Sequence, residues 1–463
     1  MAEERFDVVV RGGSVASGHG TARADIGIRG GRVAVVADDL STASASRIID
    51  ASGKLVLPGI IDVHNHPCYD DDMTGMSIAA AHGGVTTVVP FTGAVKAWGL
   101  PELPLGDVVR WTVDEWTKKS VLDFGLHMVI TRKDDAVRQV PDAVAQGVIS
   151  FKFFMAYLKR GMMNDDDKII AAMDVIAQND GMAMLHAENG LGIDYLEVKF
   201  AELGQVDNGA YLRAHTDLFE AESMLRGIAL ADAVRCPLYI VHVTVQEGME
   251  VALLVKDRLS MPLYLETLPH YLLHTNDLVM RLGALGKIGP PIRNQHDQDA
   301  LWKYVLHGGV DAVGTDHAGY TAANKLGAKH ILEAKYGLPG IEHLLVLMYS
   351  EGVVKRGLDL GRMIQLTCEN PARLFGLYPQ KGALIPGADA DLVVFNPRTR
   401  WTISSKNLHG NVDFTTYEGF EVQGAVELVM QRGTVLVENG DLKVQPGRAR
   451  YLPARDALWQ KRR

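Results

Sequence analysis

The sequence lacks several features that would each indicate a particular class of protein. Its three cysteines, Cys68, Cys236 and Cys368, are far apart and odd in number, so they define no disulfide framework. No apolar run approaches the length of a membrane span, and the N-terminus does not resemble a secretory signal. The net charge is −9, spread along the chain, which is not typical of a nucleic-acid surface. We therefore expect a cytoplasmic protein that binds neither membranes nor nucleic acid.

The central part of the chain predicts an α/β fold. Between residues 58 and 377, short apolar runs alternate with segments of helical length and periodicity. This alternation favours a (β/α)8 TIM-like barrel, with a doubly wound open sheet as the alternative. No GxGxxG motif follows the first strand, which counts against a dinucleotide fold. The candidate strands after the first are 85–89, 124–130, 150–154, 183–186, 238–243, 263–266 and 312–315.

Both ends of the chain have the pattern of short strands joined by tight turns. We predict that residues 1–57 and 378–450 combine into one small β-sandwich domain beside the barrel of residues 58–377. Residues 451–463 would then form a C-terminal tail. This arrangement requires strands from the two ends to share a sheet.

The first candidate barrel strand ends in two histidines, His64 and His66. Residues i and i+2 of an extended strand project to the same face, so both imidazoles would point the same way. Two imidazoles on one face can hold a metal ion, although an HxH pair alone also arises by chance. Four further candidate strands carry a residue that could take part in the same site: Lys152, His186, His242 and Asp316. Active-site residues of such barrels lie at the carboxyl ends of the strands, so this agreement indicates a metal site.

Lys152 is unusual because it lies inside an apolar strand, where a lysine is costly to bury. One interpretation is that its stem follows the barrel while its ammonium reaches the cleft. The other is that the neutral amine is carbamylated by CO2, which produces a carboxylate able to bridge two metal ions. Imidazole and carboxylate ligands favour zinc, with manganese, cobalt or iron as alternatives.

The set HxH, Lys, His, His, Asp resembles the binuclear amidohydrolase superfamily. Several stretches are similar to its cyclic-amidohydrolase branch, which contains hydantoinase, dihydropyrimidinase and allantoinase. The similarity covers nearly the whole chain in order, through residues 59–66, 80–87, 150–157, 186–189, 314–317, 339–342, 370–379, 381–382 and 387–392. It implies a barrel with a composite β-sandwich and two zinc ions bridged by carbamylated Lys152.

The resemblance also implies a reaction, the hydrolysis of a cyclic amide C–N bond in hydantoins or dihydropyrimidines to give N-carbamoyl amino acids. A hydroxide bridging the metal ions would attack the carbonyl, and Asp316 would carry the proton to the leaving nitrogen. Tyr157 matches the oxyanion-binding tyrosine of the family. Allantoinase or another cyclic imide hydrolase is the alternative, and a non-catalytic scaffold relative is a further one. The family suggests a homotetramer, with a dimer as the alternative.

Two departures from the family pattern concern substrate binding. Gly289 occupies the position of a serine, and Tyr336 that of an asparagine, where the family binds substrate largely through backbone groups. We expect both positions, together with Tyr157 and His317, to contact the substrate. The sequence Pro269-His270-Tyr271 is closer to the allantoinase form. Apolar residues in loops 67–74 and 157–167 predict a hydrophobic substituent on the substrate ring.

Overall fold

The computed structural model describes residues 5–462, and its two chain ends share one sheet. Strand β16 pairs antiparallel with β5, and β5 pairs parallel with β1, so the expected composite β domain is confirmed. Aliphatic residues from both ends, including Ile26, Ile28, Leu392 and Met430, form its core. The strands are β1 (Phe6–Ser17), β2 (Gly20–Arg29), β3 (Arg32–Ala37), β4 (Ala45–Asp50), β5 (Leu55–Pro58), β16 (Leu392–Thr402), β17 (Glu421–Gln431), β18 (Thr434–Glu438) and β19 (Asp441–Leu442).

The central region forms the expected (β/α)8-like barrel of parallel strands. The second and third barrel strands are each interrupted, so they appear as the pairs β7–β8 and β9–β10. The alternative prediction, a doubly wound open sheet, is therefore wrong. The barrel strands are β6 (Ile60–Asp62), β7 (Val85–Val88), β8 (Phe91–Gly93), β9 (Asp123–Phe124), β10 (His127–Val129), β11 (Ser150–Phe154), β12 (Met182–His186), β13 (Leu238–Ile240), β14 (Leu263–Thr267) and β15 (Ala312–Val313).

Helices follow the barrel strands, and several begin at side chains that satisfy free backbone N–H groups. Asp72 accepts from Thr74 N and Gly75 N at the start of α1, and Thr216 accepts from Phe219 N at the start of α7. The helices are α1 (Met73–His82), α2 (Leu105–Lys119), α3 (Ala136–Ala145), α4 (Asp166–Gln178), α5 (Gly190–Glu202), α6 (Asn208–Ala214), α7 (Asp217–Ala233), α8 (Gln246–Lys256), α9 (Pro269–Leu273), α10 (Asp277–Leu282), α11 (Gln295–His307), α12 (Ala322–Leu326), α13 (Leu344–Leu347), α14 (Leu360–Ile364) and α15 (Asn370–Leu374), with π-helical segments at Met348–Val354 and Gln365–Glu369. Within residues 5–462, none of the helices has both the length and the apolar content to span a bilayer.

The barrel closes through side chains as well as backbone. Thr315 donates from its backbone N and its Oγ1 to the two carboxylate oxygens of Asp62, over 3.0 and 2.7 Å. Asn65 and His317 form a parallel bridge beside this contact. The closure holds the end of the last strand against the end of the first, so Asp316 lies next to the HxH pair.

The two domains are joined with almost no linker. Strand β5 belongs to the sheet and β6 to the barrel, and Gly59 alone separates them. A side chain cannot be accommodated at Gly59, because a Cβ there would lie 2.1 Å from Thr86 Oγ1. The connection is therefore short and tightly packed.

The C-terminal segment packs on the barrel. Phe124 N donates to Arg450 O over 3.0 Å, and Leu452 N donates back to Phe124 O over 2.8 Å. Trp459 is 4% exposed, so the start of the predicted tail is part of the packed structure, whereas Arg463 lies outside the described residues. The domain boundaries given above stay predictions.

Candidate metal centre and active site

The predicted metal ligands lie at or near the carboxyl ends of the barrel strands, where such barrels place their active sites. All six side chains belong to residues that are at most 7% exposed. They line one cavity, which we call the histidine cavity. In strand order they are His64 and His66 after β6, Lys152 within β11, His186 at the end of β12, His242 after β13 and Asp316 after β15.

One half of the histidine cavity is built around Asp316. Its Oδ1 lies 3.1 Å from His64 Nε2 and 3.0 Å from His66 Nε2. The other ring nitrogen of His64 lies 2.6 Å from Glu266 Oε1, which orients the imidazole. Burial lowers the pKa of His64, but the carboxylates of Glu266 and Asp316 outweigh it and raise that pKa to about 9. This half therefore brings two imidazole nitrogens within 3.1 Å of one carboxylate oxygen.

The other half brings two imidazoles together. His186 Nδ1 lies 2.9 Å from His242 Nε2, and His186 Nε2 lies 2.7 Å from Glu188 Oε2. A bond from Nε2–H to Glu188 leaves a lone pair on His186 Nδ1, directed at His242. The 2.9 Å distance is that of a hydrogen bond in which His242 Nε2–H donates to this lone pair. His242 Nδ1 is buried without a hydrogen-bond partner.

The two halves form a continuous set of metal donors. Ligand atoms of His64, His242 and Asp316 all lie within 4.8 Å of one another. His66 Nδ1, like His242 Nδ1, is buried without a partner, so the hydrogen bonds within the protein do not account for every ring nitrogen. Imidazole and carboxylate donors without thiolate suit divalent metals such as zinc. The residues present therefore fit a resident metal group.

Lys152 projects into the histidine cavity from the middle of β11, where it pairs with Val129 and Met184 in the ladder. Its Nζ lies 5.1 Å from the ring centroids of both Phe91 and Phe154. Burial lowers the pKa of Lys152 to about 7, since an ammonium among aromatic rings loses its hydration. A large fraction of this amine is therefore neutral near neutral pH, which is the form that reacts with CO2.

Three residues of this site have a strained backbone conformation. Tyr157, His242 and Asp316 have φ angles of 70°, 42° and 47°, in the left-handed region that non-glycine residues seldom adopt. Each such residue costs of order 1–3 kcal/mol and persists only where its surroundings hold it. Three of the predicted functional residues are therefore held in conformations that the rest of the fold must stabilise.

Two buried carboxylates orient the ligands, and sequence reasoning assigned neither a role. Glu266 accepts from His242 N over 3.0 Å and from Tyr239 Oη over 2.8 Å, in addition to its contact with His64. Glu188 lies between His186 and His215, 2.7 Å from a ring nitrogen of each. A signal existed for both, because Glu266 ends a candidate strand and Glu188 follows His186 by two residues.

A chain of polar contacts continues from Glu188 to the predicted substrate wall. His215 Nε2 lies 3.2 Å from Tyr336 Oη, which in turn donates to Glu197 Oε1 over 3.0 Å. His215 follows α6 and Glu197 lies in α5, both far from any motif, so a single sequence does not indicate their role. The contacts fix the hydroxyl of Tyr336 away from the metal ligands.

Tyr157 lines the histidine cavity beside His186, with ring centroids 4.8 Å apart. Its hydroxyl lies 3.5 Å from Gly289 O, too far for a strong hydrogen bond. Burial raises the pKa of Tyr157 well above its usual value, so the phenol stays protonated. It is thus a donor available to a substrate oxygen.

The two departures from the family pattern, Gly289 and Tyr336, are in contact. A Cβ at Gly289 would lie 2.3 Å from Tyr157 Oη and 3.0 Å from Tyr336 Cδ1. A serine at position 289 would therefore collide with both tyrosines in their observed positions. The smaller residue makes room for the larger one, and both line the histidine cavity.

Two further residues considered in the sequence analysis, His317 and His270, do not line the histidine cavity. His317 lies 3.1 Å from Asp71 Oδ2 through Nε2, and its Nδ1 accepts from Gly340 N over 3.2 Å. Its ring thus supports neighbouring loops. His270 is buried against Tyr417, whose Oη lies 2.7 Å from His270 Nδ1. The residue that resembles the allantoinase form is therefore engaged with the C-terminal part of the chain.

Comparisons with known proteins agree over nearly the full chain. The model of the amidohydrolase family matches residues 55–436. A D-hydantoinase of Streptomyces coelicolor is 35% identical, covering 96% of this chain and 97% of the relative. A solved structure of a D-hydantoinase superposes with a TM-score of 0.92 at 33% identity, covering 97% of this chain and 99% of the other. That of a dihydropyrimidinase from Brevibacillus agri gives 0.91 at 30% identity, with coverages of 97% and 99%.

The barrel, its strand-end histidines and its buried carboxylates define a metal-dependent hydrolase. The resemblance seen in the sequence is confirmed. The chain belongs to the amidohydrolase family, and within it to the hydantoinase branch of cyclic amidohydrolases.

Proposed function

We propose that the protein hydrolyses a cyclic amide C–N bond in hydantoins or dihydropyrimidines, giving N-carbamoyl amino acids. The convergence of five strand-end ligands and Lys152 on one buried cavity, in a chain of the hydantoinase branch, carries this proposal. Allantoin hydrolysis is the alternative, because the sequence Pro269-His270-Tyr271 is closer to the allantoinase form.

The metal site that we propose holds two ions, with zinc as the expected metal. His64, His66 and Asp316 would hold one ion, and His186 and His242 the other. Lys152, carbamylated, would bridge them, which the lowered pKa of its amine supports. The ions would supply what side chains cannot, a water molecule deprotonated near neutral pH and a Lewis acid for the amide carbonyl.

The residues of the chain then have distinct roles. Asp316 stays ionised, because the neighbouring imidazoles outweigh burial and hold its pKa well below its usual value. It can accept a proton from the attacking water and deliver it to the leaving ring nitrogen. The Tyr157 hydroxyl donates to the carbonyl oxygen as negative charge develops there. Trp98, Phe154 and Met162 line the cavity and exclude bulk water from the reacting ring.

A substrate panel tests the function. Hydantoin, 5-substituted hydantoins, dihydrouracil and allantoin are supplied as single enantiomers where they are chiral, and products are separated on a chiral column. We expect N-carbamoyl amino acids from hydantoins or dihydrouracil. Hydrolysis of allantoin alone would favour the alternative, and absence of any hydrolysis by metal-loaded protein would support a scaffold role.

We further propose a homotetramer located in the cytoplasm. Leu191, Tyr195 and Val198 are 60%, 65% and 44% exposed and lie on one face of α5, which supports an interface between copies. Light scattering during size-exclusion chromatography measures the assembly directly. A monomeric mass at micromolar concentration would contradict it.

A further inference from the structure

A second, larger cavity adjoins the histidine cavity. The histidine cavity has an open volume of about 40 Å³, room for a few water molecules, whereas the neighbouring one has about 430 Å³. We call the second one the side cavity. Tyr157, Arg160 and Tyr336 line both, so they form the wall between them. A substituent on a ring held at the predicted metal ligands and directed toward the side cavity would therefore meet this wall first.

Most charges around the side cavity are already compensated. Lys159 Nζ lies 3.5 Å from Asp194 Oδ1 and 3.4 Å from Glu197 Oε2. Glu333 lies 3.5 Å from His330, and Glu197 also accepts from Tyr336 Oη. The acidic groups of this wall thus have partners within the protein.

Arg160 differs from these groups. Within residues 5–462, no carboxylate lies within 4.0 Å of its guanidinium. Its Cζ lies instead over two aromatic rings, 4.9 Å from the centroid of Tyr336 and 5.4 Å from that of Tyr157. A guanidinium above a ring keeps its N–H donors in its own plane, where they can bind a carboxylate in a bidentate manner.

The local backbone holds Arg160 at this wall. Tyr157, in its left-handed conformation, precedes the 3-10 turn Leu158–Arg160, and the turn directs Arg160 over the two tyrosines. The side cavity is lined by aliphatic residues, Ile193, Val198 and Leu332 among them, and by charged groups of which Lys159, Asp194 and Glu197 contact one another. A short aliphatic chain that ends in an anion fits this wall, because Arg160 offers its guanidinium donors there.

We propose that Arg160 is a specificity-determining residue that binds a carboxylate on the substituent of the substrate ring. The preferred substrates are then cyclic ureides with an acidic side chain, rather than the purely hydrophobic ones expected from the loop sequences. This inference rests on the proposed function and narrows its substrate class.

Two substrates of matched shape test it. 5-(2-Carboxyethyl)hydantoin and 5-(2-carbamoylethyl)hydantoin differ in charge but hardly in size. We expect kcat/KM of the holoenzyme to favour the carboxylate by about 10-fold at low ionic strength, mainly through KM, as for a charge-assisted hydrogen bond of moderate exposure. Added salt should reduce this preference, because Arg160 is exposed to solvent.

Variants assign the preference to one side chain. In Arg160→Gln the ratio of the two kcat/KM values should fall to about 1, and in Arg160→Lys, which keeps the charge without the planar fork, it should be intermediate. Arg138→Gln, the same substitution at an exposed arginine of α3 that lines neither cavity, is the matched control and should keep the wild-type ratio. Thermal unfolding of each variant verifies that the fold is retained.

The outcomes separate this inference from the proposed function. If hydantoin itself is hydrolysed but the carboxylate is not preferred, or if Arg160→Gln keeps the preference, the role of Arg160 is overturned and the function stands. If hydantoin and both derivatives are inert with metal-loaded enzyme, the proposed function fails and this inference fails with it.

Discussion

The two sides of the histidine cavity are built in different ways. The ligand side comes from strand ends, and its imidazoles are oriented by the buried carboxylates Glu266 and Glu188. The substrate side comes from loops, and its residues Tyr157, Gly289 and Tyr336 are shaped by contact with one another. The ligand side resembles the rest of the family, whereas the substrate side departs from it. Chemistry and specificity can therefore change independently in this fold.

The largest expected effect is on the ligand side. Lys152→Ala removes the proposed bridge between the metal ions, so we expect no detectable hydrolysis and a lower metal content by elemental analysis. Carbon-13 bicarbonate should label the carbamate of the wild-type enzyme in NMR spectra and leave the variant unlabelled. Full activity in the variant would contradict the proposed bridging role of Lys152.

The next effect is on the substrate side. Tyr157→Phe keeps the ring but removes the hydroxyl that donates to the developing oxyanion, so kcat should fall by about 100- to 1000-fold. Metal content should stay at the wild-type level, since the phenol is not among the proposed ligands. A variant that loses metal instead would place Tyr157 with the ligand side.

A smaller effect is expected from the carboxylates that orient the ligands. Glu188→Gln weakens the hydrogen bond to His186, and metal affinity should fall by about 10- to 100-fold. Competition with a chelator measures this affinity without reference to activity. Glu202→Gln, at the exposed end of α5, is the control and should match the wild type.

The smallest expected effect on kcat/KM tests the contact between Gly289 and Tyr336. Gly289→Ser should lower kcat/KM by about 10-fold, because its side chain would displace Tyr157 and Tyr336. Tyr336→Asn in the same chain frees space, so the double variant should lose less than the two single variants together. A non-additive energy of about 0.5–3 kcal/mol is expected for residues in contact. Strict additivity of the two changes in kcat/KM would mean that Gly289 and Tyr336 act independently of each other.

This contrast explains how much the sequence could predict. The predicted ligands could be proposed from the sequence because they lie in or at the ends of candidate strands, which a barrel brings together: His64, His66, Lys152, His186, His242 and Asp316. The composite β domain was recognisable because both ends share the pattern of short strands and tight turns. These features depend on local periodicity, which a single sequence retains.

The remaining features depend on contacts between distant segments. His215 reaches Glu188 from another helix, and the space at Gly289 matters only because Tyr157 and Tyr336 meet there. His317 follows a ligand in sequence, yet its ring bonds to Asp71 outside the cavity wall. No pattern within one segment reports such pairings, so they required the folded structure.

The single residue between β5 and β6 has a practical consequence. With Gly59 pressed against Thr86, the sheet and the barrel have no hinge through which to open. Substrate entry must then depend on the loops at the cavity mouth alone.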